Sequence, residues 1–360
     1  MRKFETKNQG GEMQIGILGL GRAGMTHLEA CQKLPGISVA AAYDPSASAR
    51  AAARNRGIRA YSSLSGLLGN EELDAITICA PPADHVALAL QCLQAGLPVL
   101  SEKPLTIGVN DALTLLRQAQ RRQRLLQVAS KFRHVPEIAA LRQLLKAGEL
   151  GEPLFFEINF CSAVDMTHRW NAIPARSGGG VIIDNGCHAF DIVHFLFGGV
   201  TDVQATALRA KQAVSVEDSA SVMVRTTQGL IGEIHLSWSW SSDRDAYVSV
   251  RGSRGSVEIG WQSSRIKRVA GDWLGLGGRY SKLEAHQRMH SAFLEAVAHR
   301  GAAWISPAEC LNVVATVEAA YRSLRNGEWE RVKRYAETPT GLAAADDEEE
   351  AQPARLGARS

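Results

Sequence analysis

The chain has 360 residues, of which 45% are hydrophobic and 21% charged, the balance of an ordinary globular protein. This length predicts two domains, because a single hydrophobic core seldom extends over so many residues. The net charge of +3 comes without a basic stripe or a basic and aromatic motif, so nucleic acid is not an expected partner.

The cysteines and the apolar runs indicate the compartment. The six cysteines form no CxxC pair and several lie in apolar stretches, so we expect reduced core thiols. The N-terminal stretch lacks the apolar region of a signal peptide. No uncharged apolar run reaches about 18 residues, the length that a membrane helix needs. These features predict a cytoplasmic protein with no membrane segment.

Short apolar strands alternate with helices over residues 13–132, after an expected flexible leader at residues 1–12. "QIGILGL", "ISVAAAY" and "LDAITICAP" have the pattern of buried strands, and a helical pattern follows each of them. This alternation is typical of an α/β domain with a parallel sheet that is covered on both faces.

The pattern changes over residues 133–335, where a helix precedes stretches such as "PLFFEINFC" and "SASVMVRTT". Polar and apolar residues alternate in these stretches and short turns separate them, which predicts antiparallel strands in an α+β domain. Two helices are expected at about 281–300 and 307–326. The acidic, proline-bearing residues 336–360 are expected to form a disordered tail.

The "HLSWSW" stretch carries two large aromatic residues at alternating positions, Trp238 and Trp240. On a strand they share one face, which is a candidate association surface. The alternative is that both pack beneath the helices of the second domain.

A glycine-rich turn, "GLGRAG", follows the first strand and opens a helix. In that context the motif predicts a dinucleotide-binding turn, with the pyrophosphate at the free N–H groups of the helix N-terminus. The residues expected to contact the cofactor here are Gly19, Leu20, Gly21, Arg22, Ala23 and Gly24.

Asp44 ends the second strand, twenty residues after Gly24. A carboxylate at this place accepts hydrogen bonds from the adenosine ribose and repels a 2′-phosphate, so the predicted cofactor is NAD. NADP is the alternative, because Arg50 and Arg54 follow on the next helix. Asp44 also has the residue type of a helix cap.

Two further strand ends carry candidate cofactor contacts. "CAPPADH" supplies Ala80, Pro81 and His85, and His85 either contacts the nicotinamide side or caps and packs. "SEKP" supplies Glu102 and Lys103 at an edge where open parallel sheets bind ligands. Lys103 is suited to stabilise a substrate oxygen that gains negative charge. The alternative for the pair is a surface salt bridge.

The stretch "SGGGVIIDNGCHAFDIVHFLFG" places Asp184 and His188 on one helix face, where they hold a metal or move a proton. The metal interpretation lacks a third ligand, because Cys187 lies about 100° away around the helix. A histidine with an ordinary pKa of about 6.5 is suited to general base catalysis. We therefore predict proton transfer, no metal, and packing or rim positions for Asp191 and His194.

His286 and His290 show the same i, i+4 spacing on a late helix. No acidic or thiol partner accompanies them in the usual metal-binding pattern. We expect this pair on a partly exposed helix face.

Four stretches in this order, "GILGLGRAGMTH", "ICAPPADHVALALQCLQAGLPVLSEKPL", "SKFRHVPEI" and "SGGGVIIDNGCHAFDIVHFLFG", resemble the Gfo/Idh/MocA oxidoreductase family. The resemblance covers about residues 13–330. It implies an N-terminal Rossmann domain and a C-terminal α/β domain with a large, mostly antiparallel open sheet. It also implies NAD(P)-dependent redox chemistry at a sugar or cyclitol, with Lys103, Asp184 and His188 as catalytic residues and His188 as general base.

The sequence departs from the family pattern in two places. "SKFRH" replaces an asparagine- and arginine-rich segment, so Lys131 is a candidate substrate contact that fits an anionic or differently hydroxylated substrate. "HRWNAIPAR" supplies Arg169, Trp170 and Asn171 as pocket candidates, with a loop anchor as the alternative for Trp170.

Together these features predict an NAD-dependent dehydrogenase of a sugar, amino sugar, cyclitol or nucleotide-linked sugar. Two alternatives are an NAD-dependent glycoside hydrolase on the same scaffold and a non-enzymatic sensor of the nucleotide. The resemblance and the open sheet predict a homodimer or homotetramer.

Overall fold

The computed structural model describes residues 12–299, 301, 303–338 and 341–345. The first sheet has six parallel strands in the order β3-β2-β1-β4-β5-β6, which is the Rossmann order. The strands are β1 Met13–Leu18, β2 Ile37–Tyr43, β3 Arg59–Tyr61, β4 Ala75–Ile78, β5 Val99–Ser101 and β6 Leu126–Val128.

Five helices connect these strands, and their starts follow from local sequence. Ser46 caps one of them by accepting a hydrogen bond from the backbone of Ala49, and Pro82 is the first residue of another. The helices are α1 Arg22–Gln32, α2 Ala47–Arg54, α3 Leu64–Asn70, α4 Pro82–Gln94 and α5 Val109–Arg121. Because β1 and β4 are neighbours, the chain order reverses between them, and the carboxyl ends of these two strands open the ligand crevice.

The second sheet has nine strands in the order β14-β13-β12-β11-β7-β10-β9-β8-β15. All neighbours are antiparallel except β7 and β10, which run parallel. The strands are β7 Pro153–Cys161, β8 Val200–Ala207, β9 Ser219–Thr226, β10 Ile231–Ser237, β11 Ala246–Gly252, β12 Gly255–Gly260, β13 Ser264–Arg268, β14 Trp273–Gly277 and β15 Glu330–Arg331.

The helices of this half are α6 Pro136–Lys146, α7 Pro174–Ser177, α8 Val181–Phe197, α9 Lys282–Ala298 and α10 Pro307–Asn326. Helices α8 and α10 cover one face of the nine-stranded sheet, and α10 also contacts α5 of the first half. Helix α9 packs against α1 instead, where Met289 and Phe293 join the core of the first sheet. The two predicted sheets and the two late helices are confirmed.

Several expectations about the second half and the two ends of the chain need correction or stay open. Trp238 and Trp240 follow the end of β10 and do not share a face, because Trp238 is 2% exposed and Trp240 41%. The expected disorder from residue 336 onward is wrong for the strands β16 Tyr335–Thr338 and β17 Gly341–Ala344, which pair antiparallel with each other. Residues 346–360 and 1–11 lie outside the described residues. The domain boundaries and an assembly through the open sheet stay predictions.

Candidate active site

The glycine turn between β1 and α1 has the shape of a phosphate cradle. Gly19 has a φ of 93°, and a Cβ there would meet the backbone of Cys79 and Ala80 at 2.8 Å. A Cβ on Gly24 would overlap the carbonyl oxygen of Gly19, so α1 can lie close to the strand only with glycine. At Gly21 nothing lies within 4 Å of such a Cβ. That open space above the helix N-terminus fits the approach of a pyrophosphate.

Asp44 connects the end of β2 to this turn. Its carboxylate accepts hydrogen bonds from the backbone N–H of Leu20 at 2.7 Å and of Ser46 at 2.8 Å. The helix cap is Ser46 and not Asp44. Arg50 donates to the carbonyl oxygens of Asp44 and Pro45, so its guanidinium faces backbone atoms. Arg50 is thus held by backbone atoms of the same turn, and contact of Asp44 with the adenosine ribose of NAD stays a prediction.

Arg22 and Ala23 begin α1 directly after the open glycine, Arg22 exposed and Ala23 half-buried. Arg54 donates to the carbonyl oxygen of Ala60 on β3. Contact of these first-turn residues with a cofactor stays a prediction.

His85 is fully buried and braces two loops. Its Nδ1 lies 2.9 Å from the carbonyl oxygen of Pro104, and its Nε2 lies 2.8 Å from that of Ala80. Burial lowers the pKa of His85. Of its two open roles, the structure favours packing, since both ring nitrogens face backbone carbonyls. Pro81 is the N-cap of α4.

Lys103 reaches from the first half of the chain to helix α8. Its ammonium donates to the carbonyl oxygen of Asp184 at 3.0 Å and to the Asp184 carboxylate. Burial disfavours the charged form, but Asp184 and Glu102 raise the pKa of Lys103 above its usual range. The lysine is therefore a fixed cation at the junction of the two sheets, and it is not a surface salt bridge.

Asp184 and His188 are one turn apart on α8, and both are half-buried. The Nε2 of His188 lies 3.5 Å from the ammonium of Lys131, and its ring stands edge-on to Phe132 with centroids 5.1 Å apart. Burial, with the positive charges of Lys131 and Lys103, holds the pKa of His188 well below its usual range. The imidazole is neutral at physiological pH and can accept a proton.

The glycines before α8 serve packing more than access to a ligand. A Cβ on Gly179 would overlap the Tyr321 hydroxyl, and a Cβ on Gly180 would overlap the backbone of Glu217. These glycines therefore allow the start of α8 to pack closely on α10 and on the β8–β9 connection.

Asp191 and His194 are buried at packing positions, as predicted. Asp191 forms an ion pair with Arg133 at 2.8 Å, and Arg133 also binds Glu309 of α10 at 2.8 Å. The Nε2 of His194 lies 3.2 Å from the Thr316 hydroxyl. These contacts fix α8 against α10.

The loop before α7 carries the remaining pocket candidates. Arg169 is half-buried, and Trp170 is 39% exposed at the start of a short 3-10 helix, Trp170–Ala172. Helix α7 packs on α4, where Arg176 pairs with Asp84 at 3.0 Å. Substrate contacts of Arg169 and Trp170 stay predictions.

A histidine cluster beneath Lys103 was missed by sequence reasoning. The Nε2 of His27 lies 2.9 Å from the Glu102 carboxylate, and its Nδ1 lies 2.8 Å from Nε2 of His290. The other oxygen of Glu102 accepts the backbone N–H of Lys103. His286 and His290 are 2% and 0% exposed, so the expected partly exposed helix face is wrong. Both are buried because α9 packs on α1.

Three members of this cluster have the residue types of a metal site. Candidate ligand atoms of His27, Glu102 and His286 lie within 4.8 Å of one another. The hydrogen bond from His27 already occupies an oxygen of Glu102. Nearby Lys103 and Lys131 favour the charged carboxylate and oppose a further cation. The contacts favour a hydrogen-bonded support for Lys103 over a metal site.

Comparison with known proteins agrees with the geometry. The family model described as "Oxidoreductase family, NAD-binding Rossmann fold" matches residues 13–130, and the GFO/IDH/MocA C-terminal domain matches residues 138–258. The chain belongs to the GFO/IDH/MocA oxidoreductase family. It is an oxidoreductase, its first half is an NAD-binding Rossmann domain, and the resemblance seen in the sequence is confirmed.

Individual relatives are similar over most of the chain. A D-apiose dehydrogenase of Paraburkholderia graminis is 29% identical over 251 residues, which cover 68% of this chain and 66% of that protein. An inositol 2-dehydrogenase of Mycolicibacterium smegmatis is 27% identical and covers 73% of this chain and 77% of its own length. A levoglucosan dehydrogenase solved with NADH and L-sorbose shares the fold, with a TM-score of 0.82 at 18% identity over 90% of this chain and 99% of that one.

Among the residues that the structure describes, no helix combines the length and the apolar character that crossing a bilayer requires.

Proposed function

We propose that the protein is an NAD-dependent dehydrogenase that oxidises a secondary alcohol of a sugar, amino sugar or cyclitol, with His188 as general base. The observation that carries this proposal is the contact of Lys103 with Asp184, one helical turn before the neutral His188. It brings a fixed cation and a proton acceptor together beside the crevice of the NAD-binding sheet. The names of the relatives support the substrate class.

In this proposal the residues of the chain hold the cofactor at the open glycine turn and at Asp44. NAD supplies a hydride acceptor when it is bound. His188 takes the proton of the substrate hydroxyl at Nε2. Lys103 donates a hydrogen bond to the same oxygen and stabilises the negative charge that grows there. Asp184 keeps the ammonium charged and oriented.

The protonation states of His188 and Lys103 support this division of roles. Burial and two nearby cations lower the pKa of His188, so its imidazole is unprotonated at neutral pH and in the form that a general base requires. Lys103 has gained affinity for its proton through Asp184 and Glu102, so it stays a charged donor. Two neighbouring groups whose pKa values move in opposite senses from ordinary fit an acid–base pair.

The test is a panel of sugars, amino sugars and cyclitols incubated with NAD, in which NADH absorbance is followed. We expect net NADH formation with at least one neutral or charged polyol. Release of an aglycone from a glycoside at constant NADH would show the hydrolase instead. Tight NADH binding without turnover of any substrate in the panel would contradict the proposal and indicate a sensor.

A further inference from the structure

Lys131 is a cation with no carboxylate of its own beside the proposed base. It begins the 3-10 helix Lys131–His134 after β6 and is partly buried. Its ammonium lies 3.5 Å from Nε2 of His188 and 5.1 Å from the centre of the Phe132 ring. Within the described part of the chain it makes no ion pair, whereas Lys103 pairs with Asp184.

Glu102 and Asp184 attract the ammonium of Lys131, but both carboxylates are already bound to other donors. Asp184 is engaged by Lys103, and Glu102 accepts hydrogen bonds from His27 and from the backbone of Lys103. A third lysine, Lys282 on α9, adds positive charge around Lys131. Burial lowers the pKa of Lys131 to about 8, so the side chain is still mostly charged at neutral pH. A partly buried cation without an ion pair of its own is unfavourable, and a ligand that supplies the opposite charge would offset that cost.

We propose that Lys131 forms an anion subsite next to His188 and that the substrate is a sugar acid whose carboxylate binds there. This inference rests on the proposed dehydrogenase function and names its substrate class. In this arrangement Nε2 of His188 contacts the hydroxyl that is oxidised, and the ammonium of Lys131 contacts a carboxylate oxygen.

The short distance between these two nitrogen atoms limits where the carboxylate can be. Two substrate groups that bind these nitrogen atoms from the same side lie about 4 Å apart, a separation that groups on nearby carbons of one sugar can span. The carboxylate is therefore attached at the oxidised carbon or within two carbons of it, as in an aldonate oxidised near C1 or a uronate oxidised near C6.

A neutral polyol satisfies this position less well. Its hydroxyl would give the ammonium a hydrogen bond but would add no negative charge beside it. The nicotinamide ring of oxidised NAD is also positively charged, so a neutral substrate leaves two cations in one cleft. A carboxylate offsets that repulsion, which favours the anionic substrate by complementarity.

The experiment uses three matched pairs: D-galacturonate with D-galactose, D-glucuronate with D-glucose, and D-gluconate with D-sorbitol. The full-length wild type, Lys131→Gln, Lys131→Arg and the surface control Lys146→Gln are compared with NAD. We expect the wild type to have at least a tenfold higher kcat/KM for the acid of one pair. Measured at a pH well above the acidic limb of the His188 base, Lys131→Gln should lose at least tenfold on that acid and less than threefold on its neutral partner. Lys131→Arg should keep the preference, and Lys146→Gln should resemble the wild type.

A binding measurement separates this inference from the dehydrogenase proposal. Each compound is titrated into the NADH complex, and quenching of the bound NADH fluorescence is followed. If a carboxylate binds in a Lys131-dependent way but no compound is oxidised, the anion subsite stands and the dehydrogenase proposal fails. If neutral sugars are oxidised and none of the three acids is oxidised or bound, the anion subsite is overturned and the dehydrogenase proposal stands. Equal losses on acid and neutral partner in Lys131→Gln also overturn the subsite.

Discussion

Lys103 and Asp184 are 81 positions apart in the chain, yet the ammonium of Lys103 donates to both the backbone carbonyl oxygen and the carboxylate of Asp184. This contact joins the loop after β5 to the first turn of α8. One residue of the pair comes from the NAD-binding half and the other from the half that carries His188. The proposed reaction centre therefore exists only where the two halves meet.

Replacement of Lys103 by methionine should remove the donor to the substrate oxygen and leave the Asp184 carboxylate without its cation. We expect kcat to fall roughly 100-fold or more, because a lost electrostatic donor at a developing charge costs about that much. NADH absorbance measures the rate, and circular dichroism checks the fold. Lys33→Met is the matched control, since Lys33 forms an exposed ion pair with Glu29 at the surface. A Lys103→Met rate within threefold of the wild type would sink the assigned role.

The proposed base predicts a particular pH profile for kcat/KM. Burial, together with Lys131 and Lys103, lowers the pKa of His188, so its imidazole stays unprotonated as the pH falls through 6.5. We expect the acidic limb of the profile to lie below that pH. Removing a positive charge favours the imidazolium, so Lys131→Gln should move the acidic limb to higher pH.

His188→Gln should abolish the acidic limb and lower kcat roughly 100-fold or more, in keeping with the loss of a general base. His235→Asn on β10 is the control, with an unchanged profile expected. An acidic limb that persists unchanged in His188→Gln would assign the base to another group.

Lys131 should cost stability in the folded protein. Its pKa falls from 10.5 to about 8 on burial, a difference equivalent to about 3 kcal/mol at most. Below pH 8 the lysine is charged in both the folded and the unfolded protein, so the full loss of stability is present. Between pH 8 and 10.5 the folded state releases its proton first, and the cost disappears.

Lys131→Met should therefore raise the free energy of unfolding at pH 7 by about 1–3 kcal/mol, with the gain shrinking towards pH 10.5. Urea denaturation at several pH values measures this, with Lys146→Met as the control for an exposed lysine. A destabilised Lys131→Met would mean that the lysine is already compensated in the folded protein.

Asp44→Asn should weaken the preference for NAD over NADP. The amide keeps the size of the side chain but no longer repels a 2′-phosphate, and it accepts more weakly from the ribose and from Leu20. We expect KM for NAD to rise about tenfold and the ratio of kcat/KM for NADP to that for NAD to rise by at least as much. Asp111→Asn on α5 should behave as the wild type. An unchanged cofactor ratio would show that Asp44 serves only the turn.

The cluster of His27, Glu102 and His286 should act without a metal ion. Dialysis against EDTA and addition of Zn²⁺ should leave NAD reduction unchanged. His27→Gln should lower kcat, because His27 supports Glu102 and through it the backbone of Lys103. His286→Gln should have little effect on kcat, whereas a metal site would make both substitutions equally harmful and the activity sensitive to EDTA.

Local signals account for what the sequence predicts correctly. Gly19, Gly21 and Gly24 stand directly after a buried strand, and the conformation of that turn is decided within a few residues. Asp184 and His188 are one turn apart on a single helix, so their common face follows from helix geometry alone. The order of apolar and polar residues along a strand is also a local pattern, so the sequence distinguishes the parallel sheet from the antiparallel one.

Contacts between segments that are far apart in the sequence explain why some predictions were wrong. His27 and His290 are 263 positions apart and meet only because α9 packs on α1, which no local pattern indicates. The pair on α9 was therefore expected on a partly exposed face although it is buried. Trp238 lies beyond the last paired residue of β10, so strand alternation does not apply to it. The sequence indicates Lys131 as a candidate substrate contact, but the distance from its ammonium to His188 depends on how the two halves pack.

Helix α9 packs on the first half of the chain, which limits how the protein can be divided into fragments. Met289, Phe293 and Leu294 fill a core otherwise built from the first 130 residues. A fragment that ends near residue 132 would expose the apolar surface that these side chains cover, and His27 would lose its contact with His290. The nucleotide-binding half is thus discontinuous in sequence, and a rotation of the two sheets about the segment near residue 132 would have to carry α9 with the first sheet.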